Sequence, residues 1–294
     1  MCKTPAYVLL LVSSSIGLAA DRCVPITAVQ RTTLEKYVRA KYKVAAPGAL
    51  EITETAAAPN TCFRKIDIKQ SGESKKKFHL TVYASPDLRF LAPQLLDTSV
   101  DPVQEERQRA EAFRVGLNGD GSPSTGPSNA PVTITVFSDF QCPYCAGLAR
   151  TLRQEVLPNE RNTVRLVFRY YPLDMHAWAR KAAQAEVCAN EQSGDLFWKL
   201  HDYIFENQRG FTPDNVIEKI TQQAASFQKI DKARLSACIN DKKTAATIER
   251  DVAFGTANGV HGTPTLFVNG QRADVANAPE QIRSLIREAG RRAN

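Results

Sequence analysis

Histidine is scarce in this chain of 294 residues. There are only four: His79, His176, His201 and His261. They form no ligand cluster along the sequence, and the cysteines provide a single C-x-x-C pair. A zinc site built on such a pair needs two further ligands at suitable spacing. We therefore expect no metal.

Long apolar runs and internal repeats are absent after the first 20 residues, so no later stretch is expected to cross a bilayer. Charge of one sign does not dominate either. The 38 basic and 31 acidic residues give a formal net charge of +7 and are interspersed. This pattern predicts a mildly basic surface and argues against a nucleic-acid-binding stripe. We expect no nucleic-acid partner.

Residues 1–20 have the features of a secretory signal peptide. Lys3 supplies a thin positive end, residues 7–12 form an apolar core, and residues 17–20 offer small side chains for cleavage. A retained membrane anchor is the alternative. The segment predicts a periplasmic or otherwise extracytoplasmic protein.

Export changes how the cysteines are interpreted, because an oxidising compartment favours pairing. Cys2 would leave with the signal. The remaining cysteines are Cys23, Cys62, Cys142, Cys145, Cys188 and Cys238. Pairing of Cys23 with Cys62 is one hypothesis, since closing that loop would contribute about 4 kcal/mol to a small domain.

The chain divides into two regions around a segment rich in glycine, proline and serine, "GLNGDGSPSTGPSNAP". We assign residues 21–115 to a small α+β domain, residues 116–130 to a linker and residues 131–294 to a second domain. The first domain is a candidate dimerisation module.

Apolar periodicity predicts the elements of both regions. The first region should contain a helix near Thr27–Lys41, three strands with alternating apolar residues, and an exposed connecting helix over residues 103–115. The second alternates strands and helices, with a helical insertion at about residues 174–258. This order predicts an α/β sheet.

The motif "QCPYC" follows a strand and precedes a predicted helix. If Cys142 begins that helix, its sulfur lies at the positive end of the helix dipole, which favours the thiolate. Pro143 suits the first turn because it lacks an N–H group. Cys145, one turn later, should be more buried. A structural disulfide across two residues would close no useful loop, so redox exchange is the preferred interpretation.

The segments "APVTITVFSDFQCPYC" and "GVHGTPTLFVNG" together resemble the DsbA-like thiol–disulfide oxidoreductases of the bacterial cell envelope. The resemblance covers roughly residues 131–290 and implies a thioredoxin-like fold with a helical insertion. It implies that Cys142 is the attacking sulfur and Cys145 the resolving one. It also implies that Pro264 is a cis-proline beside them, and that the backbone of Thr263 pairs with a bound peptide.

The sequence departs from this pattern at one position. Several thioredoxin-fold relatives carry a buried carboxylate six residues before the first cysteine, where it relays protons. That position is Val136 here. Asp139 is nearer the motif and Glu155 follows on the next helix, but neither matches by position. The proton path is left open.

Other residues belong to the candidate site or its scaffold. Cys188 and Cys238 are predicted to pair, as in some relatives of this family, and two buried free thiols are the alternative. Tyr144 lies within the motif and should help set the environment of the thiolate. His176 and His261 are candidates for positions near the sulfurs, and packing or solvation is the alternative for each.

These observations predict an exported protein disulfide oxidoreductase that acts as an oxidant and needs no cofactor beyond its Cys142–Cys145 disulfide. Its expected partners are unfolded or reduced proteins and a membrane or soluble redox partner. A homodimeric disulfide isomerase or reductase is the alternative. A non-enzymatic metal-binding or chaperone module is the third hypothesis.

Overall fold

A computed structural model describes residues 25–44, 48–55, 63–71, 78–117, 121–227, 230–239, 241–274 and 278–293. The chain divides into two compact units, with the boundary between Ser99 and Val100. The predicted signal segment, Cys23 and Cys62 lie outside the described residues, so the hypothesis of a Cys23–Cys62 disulfide stays a prediction.

The first unit pairs one helix with an antiparallel sheet. Helix α1 (Ala28–Tyr42) begins with a capping box, in which Thr27 accepts from the backbone of Gln30 and the Gln30 side chain accepts from the backbone of Thr27. The strands lie in the order β1-β2-β3-β4. They are β1 (Leu50–Thr55), β2 (Arg64–Gln70), β3 (His79–Ala84) and β4 (Leu91–Ala92).

The core of this unit comes from the apolar face of α1 and alternate positions of the strands. Leu34 and Val38 are buried with Ile52, Ile66 and Ile68. The predicted α+β unit and its three main strands are therefore confirmed.

The second unit is built on a five-stranded sheet in the order β5-β7-β6-β8-β9. At its centre, β6 (Val132–Ser138) pairs in parallel with β7 (Val164–Tyr170) and antiparallel with β8 (Thr265–Val268). The edge strands are β5 (Ser124–Thr125) and β9 (Gln271–Ala273). Apolar side chains cover both faces of β6, as expected for a central strand between helices.

Helices follow the sheet strands in the predicted order. Helix α3 (Pro143–Arg150) follows β6 and continues through a π-helical turn (Thr151–Val156) and a 3₁₀ turn (Leu157–Asn159). The predicted helical insertion between β7 and β8 is confirmed. Its helices are α4 (Ala179–Gln192), α5 (Gly194–Glu206), α6 (Val216–Ser226), α7 (Lys232–Ile239) and α8 (Lys242–Ala257), and α9 (Pro279–Ala293) follows β9.

Helix α2 (Pro102–Gly116) corrects the predicted organisation. The sequence predicts an exposed connector within the first domain, but the helix belongs to the second unit. Phe113 is buried, and its ring stacks on Phe267 of β8 with centroids 4.4 Å apart. The predicted linker also contains β5, which pairs with β7. The helix was misassigned because its buried face is narrow, consisting of Ala110 and Phe113 within a charged sequence.

A disulfide and the character of the helices test two further predictions. Cys188 of α4 and Cys238 of α7 form a disulfide, which confirms that prediction. Within the part of the chain that the structure describes, no helix combines the length and apolar character needed to span a membrane.

Candidate active site

Cys142 is the N-cap residue of α3. Its backbone is extended, its carbonyl accepts from the N–H of Ala146 at 3.2 Å, and Pro143 occupies the first helical turn. The backbone N–H groups of this turn place positive partial charge beside the side chain. The predicted placement of Cys142 at the start of a helix is therefore confirmed.

The Cys142 sulfur is buried and lies in a setting that favours its charged form. Its Sγ lies 3.5 Å from the carbonyl oxygen of Thr263. A hydrogen bond from Cys145 lowers the pKa of Cys142 most, and the backbone N–H groups of Cys145 and Tyr144 and a contact with Thr263 lower it further. Burial opposes these effects, and the resulting pKa is about 6, against an ordinary value of 9.0.

Cys145 lies on the inner face of α3 and has the opposite electrostatic setting. It is 1% exposed, and burial raises its pKa far above the ordinary range. The backbone N–H of Asp139 donates to its Sγ at 3.5 Å. Both cysteines are free thiols. The pair therefore combines one sulfur that ionises easily with one that stays protonated.

The Thr263–Pro264 peptide bond is cis, which confirms the predicted conformation. It precedes β8 and presents the Thr263 carbonyl to Cys142. The hydroxyl of Thr263 is buried and has no hydrogen-bond partner among the described residues. This hydroxyl is available to a negatively charged sulfur beside it.

Asp139 holds the loop between β6 and α3 in place. Its Oδ1 accepts from the backbone N–H groups of Gln141 at 2.7 Å and Cys142 at 3.2 Å. Its Oδ2 accepts from the backbone N–H of Leu173 and contacts Nδ1 of His176, each at 2.8 Å. His176 therefore lies near the motif, as proposed from sequence, but it contacts Asp139 instead of a sulfur.

Gln208, which follows α5, is a site residue that the sequence analysis missed. Its Nε2 donates to the carbonyls of Phe140 at 2.8 Å and Cys142 at 3.0 Å. No local pattern identifies this residue, because it lies 66 positions from Cys142 in sequence. The helical insertion thus contributes directly to the backbone of the motif.

The remaining candidates lie on the exposed rim. Tyr144 is 72% exposed, and Pro143 and His261 are also exposed. No hydrogen bond or ion pair of His261 is found within the described ranges. The Cys142 sulfur therefore lies below a rim that includes an exposed aromatic side chain, a suitable arrangement for contact with a polypeptide.

The sequence profile of the thioredoxin family matches residues 119–288, more than half of the chain. The Na+/H+ antiporter NhaA 3 of Salinispora tropica is 36% identical over 159 residues, covering 54% of this chain and 23% of the antiporter. The chain thus spans about a quarter of the length of the antiporters it matches. Disulfide bond formation protein D of Bacillus subtilis is 27% identical over 155 residues, covering 51% of this chain and 68% of that protein.

Solved structures show the same fold. The thiol-disulfide exchange protein alpha-DsbA2 from Wolbachia pipientis aligns with a TM-score of 0.54 and 20% identity, covering 64% of this chain and 99% of that one. Oxidised BdbD from Bacillus subtilis aligns with a TM-score of 0.51 and 23% identity, covering 58% and 94%. This chain belongs to the thioredoxin family.

Proposed function

We propose that the protein is an exported thiol–disulfide oxidoreductase that oxidises cysteine pairs of other proteins through Cys142 and Cys145. The observation that carries the proposal is the asymmetry of the two sulfurs. Cys142 lies at a helix N-terminus with a pKa of about 6, and burial holds Cys145 as a thiol. Such a pair can form and release a mixed disulfide in a defined order.

The reaction begins with the Cys142–Cys145 disulfide. A substrate thiolate attacks Cys142 Sγ, and the bond between Cys142 and Cys145 breaks. Cys145 leaves with the electron pair and takes up a proton, since burial disfavours its thiolate. The product is a mixed disulfide between Cys142 and the substrate.

In the second step, another thiolate of the substrate attacks the substrate sulfur of the mixed disulfide. The substrate disulfide forms, and Cys142 leaves as a thiolate. Two electrons have then passed from the substrate to the protein, which ends in the dithiol form. Because its low pKa makes Cys142 a good leaving group, this setting favours release of the oxidised substrate.

The same low pKa supports action as an oxidant. Stabilising the thiolate stabilises the dithiol form, which raises the reduction potential. We expect a potential between about −270 mV, typical of thioredoxin, and about −120 mV, typical of DsbA. A membrane or soluble redox partner would then reoxidise the Cys142–Cys145 pair.

The rim of the site supports a polypeptide substrate. The Thr263 backbone lies beside Cys142, where an extended chain could pair with it, and Tyr144 provides an exposed aromatic surface. Unfolded or reduced proteins expose the extended cysteine-containing segments that such an edge accepts. The similarity to disulfide bond formation protein D of Bacillus subtilis supports this substrate class.

Export is proposed from the signal-like residues 1–20, and its test is direct. Expression of the full chain in a bacterium, followed by fractionation and N-terminal sequencing of the recovered protein, should yield an extracytoplasmic protein that begins near residue 21. Recovery of the uncleaved chain from the membrane fraction would indicate a retained anchor instead.

Activity is tested on reduced ribonuclease A, whose enzymatic activity returns as its disulfides form. The oxidised protein should restore this activity, and the Cys142→Ser and Cys145→Ser variants should not. Equilibration with glutathione buffers should give the expected intermediate potential. Failure of the oxidised protein to transfer its disulfide would contradict the proposal.

A second form of ribonuclease A distinguishes the isomerase alternative from the oxidase. Scrambled ribonuclease A requires reshuffling of existing disulfides, and the mass in solution reports whether the protein is a dimer. A dimer that reactivates scrambled substrate but does not oxidise reduced substrate would favour the isomerase. Dimerisation through the first unit stays a prediction.

A further inference from the structure

A small cavity lies against Cys145, and Cys142 is not among its lining residues. It has a volume of about 20 Å³, which gives room for about one water molecule. Its polar lining comes from Ser138, Cys145, Arg153 and His201. Val136, at the position where relatives carry a carboxylate, adds an apolar wall, as do the other lining side chains.

His201 of α5 lines this cavity. It is 3% exposed and lies among aromatic rings, with centroids 4.8 Å from Phe205, 5.0 Å from Trp198 and 5.4 Å from Phe168. Its Nδ1 lies 2.9 Å from Oδ1 of Asp202. Its Nε2 has no protein partner among the residues that the structure describes, so it can bond to a molecule in the cavity.

A chain of polar contacts continues from His201 to the surface. Asp202 is partly exposed and accepts two hydrogen bonds from Arg153, with Nη2 at 2.9 Å from Oδ2 and Nε at 3.2 Å from Oδ1. Burial alone would raise the pKa of Asp202, but the hydrogen bonds from His201 and Arg153 outweigh it and lower that pKa. The carboxylate therefore stays ionised next to the imidazole.

Cys145 needs a proton donor and acceptor, because its sulfur alternates between thiol and disulfide in a buried place. The polar groups around it are the Ser138 hydroxyl, the Asp139 N–H and Cys142. While Cys142 is held in a disulfide, none of these groups is a base suited to neutral pH. Across the cavity, the charged and titratable groups are His201, its partner Asp202, and Arg153. Burial lowers the pKa of His201 from its ordinary value of 6.5, and the contact with Asp202 opposes this shift. The neutral imidazole is therefore available to accept a proton.

We propose that His201 relays the proton of Cys145 through a water molecule in this cavity, with Asp202 and Arg153 orienting the imidazole and connecting it to solvent. The inference rests on the proposed function, since it concerns the step in which Cys145 gains or loses its proton. The relay occupies the insertion helix α5 and takes the role that a carboxylate on the central strand would otherwise have.

The proton and electron transfers can be followed through the resolution of a mixed disulfide. The Cys145 proton passes to the water, and a proton from the water passes to Nε2 of His201. The Cys145 thiolate attacks Cys142 Sγ, the Cys142–Cys145 bond forms, and the bond to the outside sulfur breaks. The leaving thiolate takes the electron pair, and the imidazolium releases its proton to solvent. In the oxidising direction each transfer is reversed.

A two-phase reaction tests this relay. The reduced protein is mixed with an aromatic disulfide, 5,5′-dithiobis(2-nitrobenzoate), and release of the coloured thiolate is followed by stopped flow. The first phase reports attack by Cys142 and depends on reagent concentration. The second phase reports attack by Cys145 on the mixed disulfide and does not depend on it.

His201→Phe should leave the first phase and its pH midpoint unchanged, since it preserves the aromatic packing. It should slow the second phase about 100-fold near pH 7, with the rate recovering as hydroxide replaces the relay at high pH. Asp202→Asn should slow the second phase to a smaller extent. Phe205→Leu is the matched control, because it changes the same aromatic cluster but leaves the imidazole.

A second phase in His201→Phe with the wild-type rate and pH profile would overturn the relay. Equal slowing in His201→Phe and Phe205→Leu would also overturn it, since packing would then be the cause. If the wild-type protein shows no first phase, the proposed function fails, and the relay fails with it. Loss of the second phase alone is thus the result that supports the relay.

Discussion

The Asp139 carboxylate accepts a hydrogen bond from the backbone N–H of Cys142, with Oδ1 and N 3.2 Å apart. Its other oxygen accepts from the N–H of Leu173 at 2.8 Å. Asp139 is 1% exposed, so water does not compete for these bonds. One buried carboxylate thus joins the redox motif to the segment that follows β7.

Replacing this carboxylate should destabilise the site. In Asp139→Asn, one oxygen becomes an N–H₂ group that faces N–H donors, so at least one buried donor loses its acceptor. We expect the free energy of unfolding of the reduced protein to fall by about 1–3 kcal/mol, as measured by urea denaturation. The exposed Asp174→Asn, on the same segment as Leu173, is the control and should change little. Equal stability of Asp139→Asn and the wild type would contradict the role given to Asp139.

The Cys188–Cys238 disulfide should stabilise the insertion without taking part in exchange. It closes a loop with a sequence separation of 50, for which the chain-entropy model gives about 4 kcal/mol. The double variant Cys188→Ala/Cys238→Ala should lose up to that amount in free energy of unfolding. Its pH midpoint for alkylation of Cys142 should match the wild type. A shifted midpoint would show that the disulfide also shapes the redox site.

The sequence predicted the parts of the site that have a local signature. The C-x-x-C motif before a predicted helix start identified Cys142 and Cys145, and the family resemblance implied the role of Pro264. Gln208 and His201 were missed because their roles arise only when the insertion folds over the motif. An isolated glutamine or histidine on an amphipathic helix has no pattern that distinguishes a site residue from a packed one.

The same limit explains the errors in organisation. Glycine and proline in the predicted linker correctly marked irregular chain, but they could not show that β5 pairs with β7. The charged residues of α2 predicted exposure, whereas the buried side chains of Ala110 and Phe113 place this helix on the second unit. Composition describes the average environment of a segment, and two buried side chains are enough to decide its packing partner.

Glu186 of α4 should make stability depend on pH. It is fully buried, and neither carboxyl oxygen has a hydrogen-bond partner among the described residues. Burial raises its pKa well above the ordinary value of 4.5. The folded protein therefore retains a proton that the unfolded chain loses above about pH 4.5. Because of Glu186, the free energy of unfolding therefore decreases as the pH rises from about 4.5 towards the folded-state pKa of this residue.

Glu186→Gln removes that dependence. Relative to wild type, the variant should gain about 1.4 kcal/mol in free energy of unfolding for each pH unit within this window. Urea denaturation at pH 5 and pH 8 measures the difference, with the exposed Glu206→Gln as the control. A constant difference between variant and wild type at the two pH values would show that Glu186 does not retain its proton on folding.

The most direct measurement is a titration of the reduced protein followed by the ultraviolet absorbance of the thiolate. The account predicts one transition with a midpoint near the Cys142 pKa of about 6. This transition should disappear in Cys142→Ser, and Cys145 should add no second transition at neutral pH, because burial raises its pKa. A wild-type midpoint near the free-thiol value of about 8.5 would contradict the central claim, since Cys142 would then have no more thiolate character than an ordinary cysteine.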